Sequence, residues 1–218
     1  FNRMRARIQA LMGERMRMLA AAAHDLKTLM TRLRLRVAMI DDPDQRARAD
    51  RDVALMATLI EDVLLVARGE ERPVVLAPVD VGRLLTDLVN ERRALGQTVT
   101  LDPPEAGPVL ADAGGLRRIV ENLVENAVAY AGAAEVSFYR DDDRWRLAVV
   151  DHGPGLSPDF ASSAFEPFAR GEASRSRATG GSGLGLSIAR ALAQQMGAEL
   201  RLETTPGGGL TAVLLFKA

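Results

Sequence analysis

The chain has 218 residues, 47% of them hydrophobic and 26% charged, a balance that suits one or two globular domains. It has no cysteine, which excludes a disulfide framework and thiolate chemistry, and only 4% aromatic residues, so its core must be built from Leu, Val, Ala, Ile and Met. The net charge of −1 hides an asymmetry: residues 1–68 hold 13 Lys and Arg against 9 Asp and Glu, and residues 69–218 hold 15 against 20. No basic stripe with interleaved aromatics supports nucleic-acid binding. No apolar run approaches the ~18–20 residues that span a bilayer. Neither nucleic acid nor a membrane is therefore an expected partner of this stretch of chain.

From Phe1 to about Ile40 the apolar residues recur in steps of three and four, among them Met4, Ile8, Leu11, Leu19, Ala23, Leu26, Met30, Leu33, Val37 and Ile40. That spacing predicts one long amphipathic helix with Gly13 as its weak point. The sequence opens in the middle of this pattern and without Met, as a piece of a longer chain would. "DDPD" then breaks the helix. Pro43 suits the first turn of a second helix, and acids there suit its positive end. The second helix is expected to run to about Arg68, with Val53, Met56, Ile60, Val63 and Val66 on its face, and to end at Gly69. Two helices and a short turn cannot bury both stripes alone. Either two copies pair as a homodimeric four-helix bundle, or the hairpin docks on the rest of its own chain.

Residues 71–79 read as a linker passing into a short strand. After Asp80 come a helix (VGRLLTDLVNERRAL), strands TVTL and VLAD, a helix (AGGLRRIVENLVENAVAYA), and strands EVSFY and WRLAVVD joined by RDDDR. A Gly/Ser/Arg-rich stretch spans 162–183. A helix starts near Leu184 and ends before Gly197, and strands ELRLET and TAVLLF flank TPGGG. Strands and helices mix without strict alternation, so residues 80–218 are expected to form an α+β sandwich.

Four features of this second region carry chemistry. Asn122 and Asn126 lie four apart, on one face of their helix. An amide oxygen there is a neutral hard ligand suited to a Mg²⁺ that already carries phosphate oxygens, with Glu121 and Glu125 as neighbours able to hold a water. Taken alone, the same pattern also fits a solvated helix face. Asp151 ends a strand, and Gly153 and Gly155 let the backbone turn and approach a ligand; the carboxylate could accept a hydrogen bond from an exocyclic amine. Gly181, Gly183, Leu184 and Gly185 run from a loop into a helix whose first N–H groups could cradle phosphates. The spacing is neither a Walker loop nor a dinucleotide fingerprint. Between these lies FEPFARGEASRSRATGG, with the composition of a lid: Phe165 and Phe168 could anchor its start, and Arg170, Arg175 and Arg177 could reach phosphates.

Taken in order, Asn122/Asn126, DHGPG, FEPF, GGSGLGLSIAR and GGGLTAVLLF resemble the ATP-binding domain of sensor histidine kinases, a Bergerat-type (GHKL ATPase) α/β sandwich. The resemblance covers about 80–218. It implies that Asn126 ligates Mg²⁺ with support from Asn122, and that Asp151 binds the adenine amino group. It further implies that Gly153 and Gly155 line the base pocket, that Gly183 and Gly185 cradle phosphates, and that Thr211 helps to close the adenine site. Many members carry Lys or Arg three residues after the second Asn. This chain has Ala129, followed by Tyr130, which could pack there.

The stretch HDLKTLM resembles the same family's phosphoacceptor motif. At about 100° per residue, His24 lies off the Ala23–Leu26 stripe and faces solvent. A neutral imidazole is a good nucleophile, and Asp25 can orient it or accept its proton. The resemblance implies that Thr28 positions a water for dephosphorylation of a response regulator receiver domain. It also implies that residues 1–70 are a dimerisation and phosphotransfer hairpin, in the cytoplasmic portion of a bacterial inner-membrane sensor. The family's Pro after that Thr is Leu29 here, which would leave the helix straighter. Two alternatives stay open: an ATP-gated dimeric scaffold acting mainly as a regulator phosphatase, and a serine kinase of the same ATPase fold that does not need His24.

Overall fold

The structure, a computed structural model, describes residues 26, 29–68, 74–169 and 183–217. Residues 1–25 and 27–28 of the expected first helix, and with them His24, Asp25 and Thr28, lie outside the described residues, as do Arg170 and Gly181. The chain divides into two compact units, Phe1–Glu71 and Arg72–Ala218. No helix among the described residues is long and apolar enough to cross a membrane.

In the first unit, α1 covers 29–37 and α2 covers Pro43–Arg68. Asp42 starts α2: its Oδ1 accepts from the backbone N–H groups of Asp44 at 2.9 Å and Gln45 at 3.1 Å. Pro43 follows at a position where its missing N–H would have had no helical partner. Met30 and Val37, seven residues and two turns apart, form a buried cluster with Val53 of α2, flanked by Ile40, Ala49, Ala57 and Ile60. The predicted stripe is only partly covered within one chain. Leu26, Leu29, Leu33, Leu35, Met39 and Met56 stay exposed. The side chains of Val63 and Val66 are not among those described.

The second unit contains β1 (Ala77–Asp80), α3 (Val81–Ala94), β2 (Thr98–Leu101), β3 (Pro108–Ala111), α4 (Ala113–Ala131), β4 (Ala133–Asp141), β5 (Arg144–Val150), a one-turn α5 (Pro158–Ala161), α6 (Gly185–Gln195), β6 (Glu199–Thr204) and β7 (Leu210–Lys217). β1 and β3 form an antiparallel ribbon, and the other strands form a sheet in the order β2-β4-β5-β7-β6, parallel only between β2 and β4. Asp80 and Asp112 cap α3 and α4 through the N–H groups of Arg83 (3.0 Å) and Gly115 (2.9 Å). Gly132, at φ 80, ends α4. α4 packs against both α3 and α6, and all three helices pack on the sheet.

Alternation along the strands puts Phe138, Leu147, Leu214 and Phe216 in the main core with Leu85, Leu88, Leu116, Ile119, Val120 and Ile188, all buried. Phe138 stacks on Trp145 with centroids 4.9 Å apart. The opposite face carries a smaller strip, Ala148, Val213 and Leu215. The same face bears the ion pairs Arg146–Glu203 (2.8 Å) and Arg201–Glu199 (2.7 Å). Their stems and heads shield the strip from water.

Candidate functional site

The predicted amide pair is brought against the start of α6. Asn122 and Asn126 share one face of α4, and a methyl added at Gly185 would lie 3.6 Å from Asn126 Nδ2 and 3.7 Å from Asn122 Oδ1. Asn122 Nδ2 is buried and makes no hydrogen bond. α6 begins after Leu184 with no side chain capping it, so its first N–H groups present partial positive charge to this space. Glu121 and Glu125 are drawn to arginines: Glu121 accepts from Arg117 at 2.9 Å and Glu125 from Arg92 at 2.8 Å. Arg117 also pairs with Glu91, whose hydrogen bond is the main reason its pKa is raised above the ordinary arginine value. Among the described residues no three His, Cys, Asp or Glu side chains gather as a metal cage. A divalent cation here would draw on amide oxygens and on the ligand's own oxygens.

Asp151 lies at the end of β5 and is 7% exposed. Its Oδ1 accepts from two backbone N–H groups, Gly153 at 2.9 Å and Leu210 at 3.2 Å. Both bonds fall on one oxygen, which leaves Oδ2 to accept from a ligand. The loop that follows is tight. A methyl at Gly153 would meet the Ala131 Cβ at 3.2 Å and the Tyr130 carbonyl at 3.3 Å, and one at Gly155, which sits at φ +69, would meet the Gly209 carbonyl oxygen at 3.1 Å. α4 therefore touches both halves of the site, with Asn122 and Asn126 against α6 and Tyr130 and Ala131 against the Asp151 loop. The Tyr130 side chain is itself exposed. His152 points outward and pairs with Glu135 at 3.3 Å.

Two expectations need correction. Thr211 stands two residues before Val213 and opposite Val150, on the sheet face away from the main core, where its hydroxyl bonds that of Thr205 at 2.9 Å. The group of that segment that reaches Asp151 is the backbone N–H of Leu210. Phe165 anchors the Phe-rich segment, with the Arg190 guanidinium 5.1 Å from its ring centroid, but the Phe168 side chain is 54% exposed. Phe168 is held by its backbone instead. It sits at φ 64, and its N–H donates to the Gly183 carbonyl at 3.0 Å. Gly183, at φ +71, lies so close that an added methyl would be 3.0 Å from Phe168 and Ala169 backbone atoms. Residues 168 and 183 thus close the neck of the intervening segment. Within the GGGLTAVLLF stretch the sequence gives no role of their own to Gly209 and Leu210.

Residues 111–218 match the family described as "Histidine kinase-, DNA gyrase B-, and HSP90-like ATPase". The chain is 29% identical to sensor histidine kinase CpxA of Escherichia coli (strain K12), over 98% of this chain and 49% of that protein. It is 33% identical to sensor protein RstB of the same organism, over 96% of this chain and 50% of that one. It thus spans about half the length of these curated relatives. Among solved structures, full-length ShkA in complex with AMPPNP superposes with a TM-score of 0.70 at 26% identity, over 93% of this chain and 46% of that one. Residues 111–218 carry the histidine kinase-, DNA gyrase B- and HSP90-like ATPase domain, and the chain is similar to sensor histidine kinases over almost its whole length.

Proposed function

We propose that the chain is the dimerising, phosphotransfer and ATP-binding portion of a two-component sensor histidine kinase, on the cytoplasmic side of a membrane sensor. Residues 1–70 form the phosphotransfer hairpin, 71–79 the linker, and 80–218 the ATP-binding domain. The observation that carries this reading is the Asp151 carboxylate, buried and held by two N–H groups on one oxygen, set on the same scaffold as Asn122, Asn126 and the uncapped start of α6.

Asp151 Oδ2 accepts from the adenine amine, and Gly153 and Gly155 admit the ring. The N–H groups of Gly183, Leu184 and Gly185 hold phosphate oxygens, with Gly181 and Arg170 as further contacts. The residues fit a Mg²⁺ through the Asn126 amide oxygen, supported by Asn122, and such an ion supplies charge neutralisation at the phosphates. The His24 imidazole forms a nitrogen–phosphorus bond with the γ-phosphoryl group as the bond to the β-phosphate oxygen breaks. ADP leaves, and Asp25 takes the imidazole proton. The phosphoryl group then passes to an Asp of a response regulator receiver domain, and Thr28 positions water for the reverse, phosphatase, reaction. The exposed Leu26, Leu29, Leu33 and Met56 support pairing of two hairpins in a homodimeric four-helix bundle.

The test is incubation with γ-labelled ATP and Mg²⁺. Acid-labile, alkali-stable label on the native chain, absent from His24→Gln, is expected. Label retained in His24→Gln would point instead to a serine kinase. A second reading, a scaffold that chiefly dephosphorylates its regulator, is motivated by Leu29 within α1 and by Ala129. It predicts nucleotide binding without label.

A further inference from the structure

We propose that Gly209 is a positioning residue for base recognition: with no side chain, it lets the β6–β7 turn close on the back of Asp151 and aim that carboxylate at the nucleotide base. The inference rests on the base-binding role assigned to Asp151 above.

Residues 151 and 209–210 are locked together by their backbones. Asp151 N–H donates to the Leu210 carbonyl at 2.9 Å, and Leu210 N–H returns a bond to Asp151 Oδ1 at 3.2 Å. The second donor to Oδ1, Gly153 N–H at 2.9 Å, comes from the other side. Two donors on one oxygen fix the rotation of the carboxylate, and that rotation sets where Oδ2 points. The lock needs a close approach. Gly209 sits at φ +114, and a methyl built on it would lie 2.0 Å from the Asp151 carbonyl oxygen and 2.8 Å from both its carbonyl carbon and the His152 Cα. Those neighbours are backbone, which cannot swing aside as a long side chain can. The Gly209 carbonyl in turn accepts from Thr205 N–H at 3.2 Å, so the turn is held on its far side as well. A side chain at 209 must therefore push the Leu210 N–H away from Asp151 and release the carboxylate.

Gly207 separates this effect from simple turn strain. It also has a positive φ, +86, but a methyl there meets nothing within 4 Å. Gly207→Ala strains the same turn and leaves Asp151 in place.

The experiment measures dissociation constants of the full chain for ATP and for inosine triphosphate, which carries a carbonyl where ATP has its amine, both with Mg²⁺. A carboxylate reading the amine should favour ATP by about tenfold or more. Gly209→Ala is expected to bring the ratio close to one, chiefly by weakening ATP, while Gly207→Ala keeps the native ratio. Leu210→Pro is the second variant. It deletes the N–H donor at the first residue of a strand, where proline is accepted, and it should lose the ratio too, so a Gly209→Ala chain that does not fold leaves the test intact. Native discrimination in either Gly209→Ala or Leu210→Pro overturns the inference, as does an equal loss for both nucleotides. Asp151→Asn separates the two layers. A ratio lost in Asp151→Asn but kept in Gly209→Ala sinks the positioning role alone, whereas a ratio unmoved in Asp151→Asn sinks the base-binding role and the positioning role with it.

Discussion

Replacing Asn122 by leucine should make the second unit more stable and less able to hold nucleotide. Asn122 Nδ2 is buried with no hydrogen-bond partner. A buried donor left unmade costs about 1–3 kcal/mol, whereas an apolar group of similar shape carries no such penalty. Leucine is close to asparagine in size, and its methyls would sit beside Gly185 and the apolar flank of α4, so overpacking should offset part of the gain. A net gain of about 1–2 kcal/mol remains, which raises the thermal midpoint of a domain of this size by about 2–8 °C. Mg²⁺ and ATP at a hundred times the dissociation constant should add about 2.7 kcal/mol to the native protein, and most of that increment should vanish in the variant. The assay is a calorimetric scan of both proteins with and without Mg-ATP. A lower midpoint for ligand-free Asn122→Leu would refute the claim that the amide is held in place against stability for the sake of a ligand. An undiminished ATP-induced shift would refute its place in the site. The trade between stability and function is expected where a buried polar group serves a ligand rather than the fold.

Further outcomes can be checked alongside. Leu29→Pro puts the proline of the phosphoacceptor motif that this stretch resembles at residue 29, the first described residue of α1, and takes away that residue's N–H. It should change the ratio of autokinase to phosphatase rates, and identical rates would show that residue 29 does not set that balance. Gly107→Ala would put a methyl 2.0 Å from Trp145 Cζ2 and force the 102–107 loop off the indole. A loss of about 1–3 kcal/mol and a midpoint fall of about 2–12 °C are expected, with red-shifted emission from this single tryptophan. The Asp42 carboxyl is held below its usual 3.8, first by the Gln45 backbone N–H and then by that of Asp44. The stability it lends to α2 is therefore present above 3.8 and lost as the pH falls through the lowered folded value. Asp42→Asn still caps but does not titrate, so the acid limb of its helicity curve, followed by circular dichroism from about pH 5 to about pH 2, should be flatter.

Local chemistry is written locally, and those parts of the molecule were legible in the chain. The Asp-Asp-Pro-Asp start of α2, the helix that follows Asp80 and the four-residue spacing of Asn122 and Asn126 each depend on residues within one or two turns. The strands were legible as short apolar runs between turn residues. Thr211 shows where that reading stops. Strand side chains alternate between faces, so membership of the right segment does not say which side a residue serves, and the register with Val150 turns its hydroxyl toward Thr205. Phe168 is apolar and so reads as an anchor, yet a positive φ turns it outward while its backbone closes the neck against Gly183. The chain alone therefore yielded most of the elements of residues 80–218 in their order, and its motifs carried the resemblance to the family. Tertiary structure alone decided that one Asp151 oxygen faces two N–H groups, one from a residue 59 positions away, and that Gly209 must be bare. The reason is physical: propensities and caps act through neighbours along the chain, whereas the aim of a carboxylate and the clearance around a glycine are set by backbones that meet only once the sheet has formed.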